Sequence, residues 1–251
     1  MAAYLFFGCS KDRTDDTRHA QDQHFISEVD ATIFSAKGSA SVDYQYSLSY
    51  DHVGRLNQEV MKEQFSDGTT KSTSFTFMQN GNDITISSTG SRTTYDGCVL
   101  TLDKVGLLLF NGESDIHCSY NSMGQLIKQE YVGAPDSYTI YQWEGKNVIS
   151  SESFENGKWS EKRIFTYTSH PNNYSVSACR IPYEEPYIIN WLTRIGEYAN
   201  LPEKEVYSYS AGGTIKTEET LYLYEFDAEN RVAKCTKMVN SRTSEIIEFR
   251  Y

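Results

Sequence analysis

The chain has 251 residues and a formal net charge of −11, and its 19 tyrosines outnumber its 12 phenylalanines and 3 tryptophans together. That length suits one large all-β domain or two smaller ones, and no basic stripe is present to neutralise phosphates, which argues against nucleic acid as a partner. No stretch approaches the roughly 20 apolar residues of a membrane helix, and a tyrosine-rich composition suits strands with one wet face.

The opening segment, MAAYLFFGC, has the form of a lipoprotein signal's end: an apolar run, a small residue at Gly8, and Cys9 as the residue that would carry lipid. The charged start of such a signal is missing, and Phe6 stands where Leu is usual, so residues 1–23 are expected to comprise a truncated lipoprotein signal and a flexible polar tether. Residues 24–251 are expected to form a single β-barrel-like domain. A lipid anchor at Cys9 would place the protein at the bacterial outer membrane, facing the periplasm or the cell surface.

A first strand is expected over residues 25–36. Residues 42–51 carry the plainest signal: Val42, Tyr44, Tyr46, Leu48 and Tyr50 alternate with polar residues, as in an antiparallel strand with one buried face. The stretch Tyr50-Asp51-His52-Val53-Gly54-Arg55-Leu56 then sets a pattern that returns at residues 102–108, 120–126 and 226–232. Asp or Asn opens a type I turn by accepting hydrogen bonds from the backbone ahead of it. The residue three further on must take positive φ, which Gly does freely and Asn (Asn230 in the last copy) tolerates. Each copy is expected to be a β-hairpin tip.

Further strands are expected at residues 56–65, 73–78, 84–88, 99–102, 107–110, 116–120, 126–132, 138–143, 148–154, 159–168 and 174–178. Compact turns join several of them, at Asp67-Gly68, Asn80-Gly81, Glu144-Gly145 and Asn156-Gly157, and His170-Pro171-Asn172-Asn173 leads into the last. Asp-x-x-Gly tips are expected at one end, and compact Asp-Gly, Asn-Gly or Gly-Gly turns at the other.

Residues 182–202, PYEEPYIINWLTRIGEYANLP, break this pattern. Ile188, Trp191, Leu192, Ile195, Tyr198 and Ala199 recur at three and four, which predicts an amphipathic helix over about 184–200, with Pro186 near its start and Asn200 and Pro202 at its end. Strands resume at residues 205–210 and, after Gly212-Gly213, at 216–226, 231–239 and 246–251. A count of about fourteen to sixteen strands far exceeds an average sheet. The expected fold is therefore all-β: a long antiparallel up-and-down meander closing into a wide or flattened barrel, with one amphipathic helix capping or plugging it.

The YDxxGRL-type hairpins, the late helix followed by Leu201-Pro202, and the ending in Tyr251 together resemble a family of bacterial envelope lipoproteins of unknown function with a porin-like fold. The resemblance covers nearly the whole chain after the tether and implies no catalytic residues. Single hairpins also resemble the YD repeats of large secreted shell proteins, a likeness of turn chemistry. The alternation Ile247, Phe249, Tyr251 resembles the last strand of an integral outer-membrane barrel. A lipid-facing row must stay apolar, however, and neither Leu56, Gln58, Val60, Lys62 nor Asn57, Glu59, Met61, Glu63 does so.

Little points to catalysis: there is no G-x-S-x-G elbow, H-E-x-x-H pair or phosphate-binding Gly loop, and His19, His24, His52, His117 and His170 are scattered. Asp51, Asp103, Asn121 and Asp227 are accounted for as turn openers, so neither metal nor cofactor is expected. Cys98, Cys118, Cys179 and Cys235 permit three disulfide pairings, but the unbridged core reading is favoured.

Aromatic residues are the better lead. Tyr44, Tyr46, Tyr50, Tyr222 and Tyr224, with Trp191 and Ile195 of the helix, are expected to line an interior or a cleft, against plain core packing as the alternative. Two functions follow. One is a non-enzymatic lipoprotein, expected to be monomeric, that holds a lipid or other apolar ligand between sheet and helix. The other is a surface interaction or adhesion module binding glycan or another envelope protein. A continuous apolar cavity would favour the first, and a filled core beside an exposed aromatic patch the second.

Overall fold

Alternation dominates the architecture, because a strand whose successive side chains point to opposite faces buries one row and wets the other. The computed structural model describes residues 27–34, 40–50, 56–91, 96–102, 108–111, 116–172 and 199–251. Its strands are β1 (Glu28–Phe34), β2 (Ala40–Tyr50), β3 (Leu56–Phe65), β4 (Thr70–Asn80), β5 (Asp83–Gly90), β6 (Val99–Leu102), β7 (Leu108–Asn111) and β8 (Ile116–Tyr120). The second half holds β9 (Leu126–Tyr131), β10 (Ala134–Glu144), β11 (Asn147–Glu155), β12 (Lys158–Pro171), β13 (Asn200–Ala211), β14 (Thr214–Phe226), β15 (Val232–Val239) and β16 (Arg242–Arg250). Each pairs antiparallel with its neighbour in sequence. β1 also pairs with β16, Val29 opposite Phe249 and Ile33 opposite Glu245, so the ladder returns to its start as a barrel.

Inner rows are densely filled along the first strands and the last. Val29, Ala31 and Ile33 of β1, Tyr44, Tyr46 and Leu48 of β2, Phe75 and Phe77 of β4, and Ile247 and Phe249 of β16 are all 0–7% exposed. The interior there is a solvent-excluded core, not a channel. Glu59 and Glu63 of β3 lie in the same buried layer, on either side of Met61. The outer rows carry cross-strand ion pairs, Arg250 with Glu28 and Asp30, Lys234 with Glu225, and Lys204 with Glu219, and Lys128 pairs with Glu130 along β9 itself. Such rows suit water and could not lie against hydrocarbon.

The two repeat tips that fall within the described residues are built as the turn chemistry requires. At Tyr120–Leu126, Asn121 Oδ1 accepts from the Met123 and Gln125 amides, and Gly124 sits at φ 76°. At Phe226–Val232, Asp227 Oδ1 accepts from the Glu229 and Arg231 amides at 2.9 and 2.8 Å, and Asn230 takes φ 60°. The tips after Tyr50 and Leu102 lie outside the described residues, as do Cys9, the expected tether and the strand expected over residues 174–178.

Several expectations need correction. Asn200 cannot end a helix, because it opens β13, pairs with Pro171 of β12 and exchanges side-chain and backbone hydrogen bonds with Asn147. Ala199 before it lies in a bend, and the remainder of the expected helix, Trp191 and Ile195 included, lies outside the described residues. His170-Pro171 continues β12 and makes no turn. The two turn classes do not segregate cleanly: Asn80-Gly81 joins β4 to β5 and Glu144-Gly145 joins β10 to β11, which by strand parity puts both at the end carrying the Asp-x-x-Gly tips. Asn240-Ser241, with both residues at positive φ, forms a tight turn into β16 that the sequence reading placed inside a longer connection. Among the described residues, Cys118 is a free, buried cysteine.

Candidate functional site

The residues singled out from sequence fall into two inner groups. Tyr44 and Tyr46 are buried at 6% and 1% exposure, with ring centroids 6.1 Å apart. Tyr50 continues their row, and burial together with the neighbouring Glu59 carboxylate raises its pKa. Tyr222 is also buried and donates to Glu205 Oε2 at 2.7 Å, while half-buried Tyr224 donates to the Pro202 carbonyl at 2.8 Å. Strands β15, β16 and β1 separate the two groups. The described members of the set are thus packed into the wall or tied to it.

A different place is open. Where β11, β12 and β13 approach their compact-turn end, a cleft of about 500 Å³ is lined by Glu155, Asn156, Lys158, Trp159, Ser160 and Glu161 from the β11–β12 hairpin and by Tyr207, Tyr209 and Ser210 from β13. Strand parity sets it at the opposite end of the barrel from Asn172 and Ala199, where the chain leaves and re-enters the described structure. Local sequence explains its shape. Asn156 and Gly157, at φ 48° and 73°, form a two-residue hairpin turn. β10 braces that turn, since the Gly157 amide donates to the Asp136 carbonyl at 2.8 Å and the Asn156 amide to Ser137 Oγ at 3.1 Å.

Register then brings the functional groups together. Phe165 opposes Glu205, Arg163 opposes Tyr207 and Glu161 opposes Tyr209, three successive pairs on one face. Tyr207 and Tyr209 stack with centroids 5.0 Å apart. The Tyr207 hydroxyl donates to Glu161 Oε2 at 2.7 Å, and the Tyr209 hydroxyl donates to Glu218 Oε1 at 3.2 Å. Behind the cleft, the Arg163 guanidinium lies 4.1 Å from the Tyr207 ring and donates to Glu205 Oε1 at 2.5 Å. Buried Glu205 therefore has both oxygens engaged, one by Arg163 and one by Tyr222. This network holds Tyr207 and Glu161 in place from behind, which is how a buried ion pair can favour one geometry.

Electrostatics fix the protonation of the two tyrosines. Partial burial, then the hydrogen bond to Glu161, pushes Tyr207 up to about 12. The hydrogen bond to Glu218 raises Tyr209. Both stay neutral at physiological pH and donate their hydroxyl protons in hydrogen bonds to the carboxylates. Among the described residues no cluster of His, Cys, Asp and Glu could hold a metal ion.

Sequence reasoning missed Trp159, Glu161, Tyr207 and Tyr209. The Tyr-Ser-Tyr run at residues 207–209 carried a period-two signal, whereas Trp-Ser-Glu at 159–161 carried none because Glu161 breaks the alternation. What it could not give was the register that faces one run with the other.

No family model matches the chain, and no curated protein matches it. Solved structures do. A porin-like protein from Bacteroides uniformis is similar at 16% identity with a TM-score of 0.59, covering 90% of this chain and 96% of that one. A porin-like protein from Bacteroides vulgatus matches at 10% identity with a TM-score of 0.42, over 91% of this chain and 99% of that one. The first likeness establishes a porin-like fold.

Proposed function

We propose that this is a non-enzymatic binding protein of the bacterial cell envelope and that its ligand is a saccharide held in the cleft of β11, β12 and β13. One observation carries the reading: a cleft of about 500 Å³, of ordinary ligand size, that combines the stacked rings of Tyr207 and Tyr209 and the indole of Trp159 with the carboxylate of Glu161. A sugar ring offers both features such a wall needs. Its C–H face packs against an aromatic ring, and adjacent hydroxyls donate to a carboxylate. The filled core around Tyr44, Tyr46 and Phe75 gives less support to an apolar carrier, whose expected helix residues, Trp191 and Ile195, lie outside the described structure. Envelope placement is supported by the porin-like fold, and a lipid anchor at Cys9 by the signal-like sequence before it.

Titrating the protein with a panel of neutral and charged oligosaccharides, followed by tryptophan fluorescence and calorimetry, tests the reading. Binding that is lost in Tyr209→Ala and Trp159→Ala, with the melting temperature retained, is the expected result. A panel with no binder, or native mass spectrometry showing co-purified lipid in the barrel, would overturn it in favour of the carrier. Fractionation of Cys9→Ala from the host tests the anchor separately: continued membrane retention would sink it.

A further inference from the structure

The cleft's carboxylates and committed hydroxyls lean toward acceptors, beside donors on Asn156, Trp159 and Ser210. Tyr207 spends its hydroxyl proton on Glu161, Tyr209 on Glu218 at 3.2 Å, and Ser160 on the Ser153 carbonyl at 3.1 Å. A hydroxyl has one proton to give, so each of these oxygens now presents lone pairs alone, and the carboxylates of Glu155 and Glu161 can only accept. Lys158 is the one cation among the described lining residues, and it stands opposite Glu155 across the β11–β12 ladder. Arg163, behind Tyr207, is shared between Glu205 at 2.5 Å and Glu161 Oε1 at 3.7 Å, and Glu161 Oε1 also accepts from Ser153 Oγ at 3.4 Å. The charged groups in and behind the wall are therefore weighted toward carboxylates. The chain's net charge of −11 adds to that field.

An acceptor-rich, electronegative wall with aromatic faces selects for a ligand that is rich in donors and positively charged. We infer that the cleft takes a saccharide bearing a free amino group, its ammonium seated at Glu161 beside Tyr207 and Tyr209. The inference rests on the saccharide reading above and narrows it. A primary ammonium brings three donors to one point, which matches converging acceptors better than a hydroxyl does. A uronic acid would bring a second anion to a site already weighted toward acid, and an N-acetyl group would remove the charge.

The test uses the whole protein and defined probes: a glucosamine tetramer, an N-acetylglucosamine tetramer, a cellulose tetramer, an oligogalacturonate and spermidine. Each is titrated by calorimetry at about pH 6, where a free amine of ordinary pKa is charged, in low and in raised salt. The glucosamine tetramer is expected to bind roughly tenfold or more tighter than the neutral tetramers, a charge-assisted contact being worth about that factor, and to weaken as salt rises. Glu161→Gln should cost roughly tenfold. Lys158→Gln, on an exposed side chain whose loss does not threaten folding, should tighten amino-sugar binding by removing a repelling cation. Equal binding of the neutral and amino tetramers overturns this inference and leaves the saccharide reading standing. Preference for the oligogalacturonate, or weaker binding in Lys158→Gln, does the same. Binding of spermidine with no saccharide bound overturns both, as does the absence of any binder.

Discussion

Glu245 is a carboxyl in the wrong solvent, and replacing it should stabilise the protein at neutral pH. It lies on the inner row of β16, 4% exposed, opposite Ile33 on β1 and Lys237 on β15. Its Oε1 has no hydrogen-bond partner, and its Oε2 stands 3.7 Å from Lys237 Nζ, too far for a strong charge-assisted bond. Burial raises its pKa from 4.5 to about 7, with the Lys237 ammonium opposing the rise. Because the folded state holds this proton more tightly than the unfolded chain, the group's contribution is whole below about 4.5 and is lost as pH rises through about 7. A shift of that size corresponds to about 3 kcal/mol across the window. Glu245→Gln keeps the shape and removes the titration. Urea unfolding of both proteins at about pH 5 and about pH 8 should show the variant gaining stability relative to the parent at the higher pH, by up to about 3 kcal/mol. If the difference between the two proteins is the same at both pH values, the carboxyl is ionised inside the barrel without penalty and the reasoning fails.

Other parts of the fold make equally direct predictions. Asn230→Gly should be neutral or slightly stabilising, whereas Asn230→Val should cost about 1–3 kcal/mol, because a β-branched residue resists the φ of 60° that closes the last tip; equal melting temperatures for the two would contradict this. Gly90→Ala would bring a methyl group to 2.2 Å from the Ser72 carbonyl oxygen at a φ of 114°, so it should cost at least about 2 kcal/mol, and a variant with unchanged urea midpoint would refute the close approach. Phe75, fully buried in the layer with Glu59, should cost about 3–5 kcal/mol on truncation to Ala, readable as a lower midpoint with an unchanged slope. Burial pushes the Cys118 thiol up to about 11, so Cys118 should resist iodoacetamide until denaturant is added; rapid labelling of the native protein, mapped by mass spectrometry, would show the site to be open.

Much of the barrel could be read from local chemistry. The Asp-x-x-Gly tips are set by bonds within five residues, so Asp227 and Asn230 behave as their sequence neighbours demand whatever surrounds them. The buried row of Tyr44, Tyr46 and Leu48 follows in the same way from period two alone. Strand ends were harder. Asn200 looked like a helix terminus by its neighbours Leu201 and Pro202, but its partners are Asn147, 53 residues away, and Pro171. The inner carboxylates were harder still: Glu59 and Glu63 made β3 read as wet on both rows, and only the assembled barrel assigns that row to the interior.

From its own sequence, then, this protein's all-β meander, the hairpin tips at Asn121 and Asp227 and the buried face of its clearest strand were determined, because each depends on backbone preferences and a side-chain period that act over a few residues. The tertiary structure alone decided that β1 meets β16, that Glu245 is sealed beside Lys237, and that Trp159 and Glu161 on one strand share a cleft with Tyr207 and Tyr209 on the next. These are matters of register between paired strands, which no single strand's own sequence specifies. A one-residue slip in that register would turn each of those side chains to the other face.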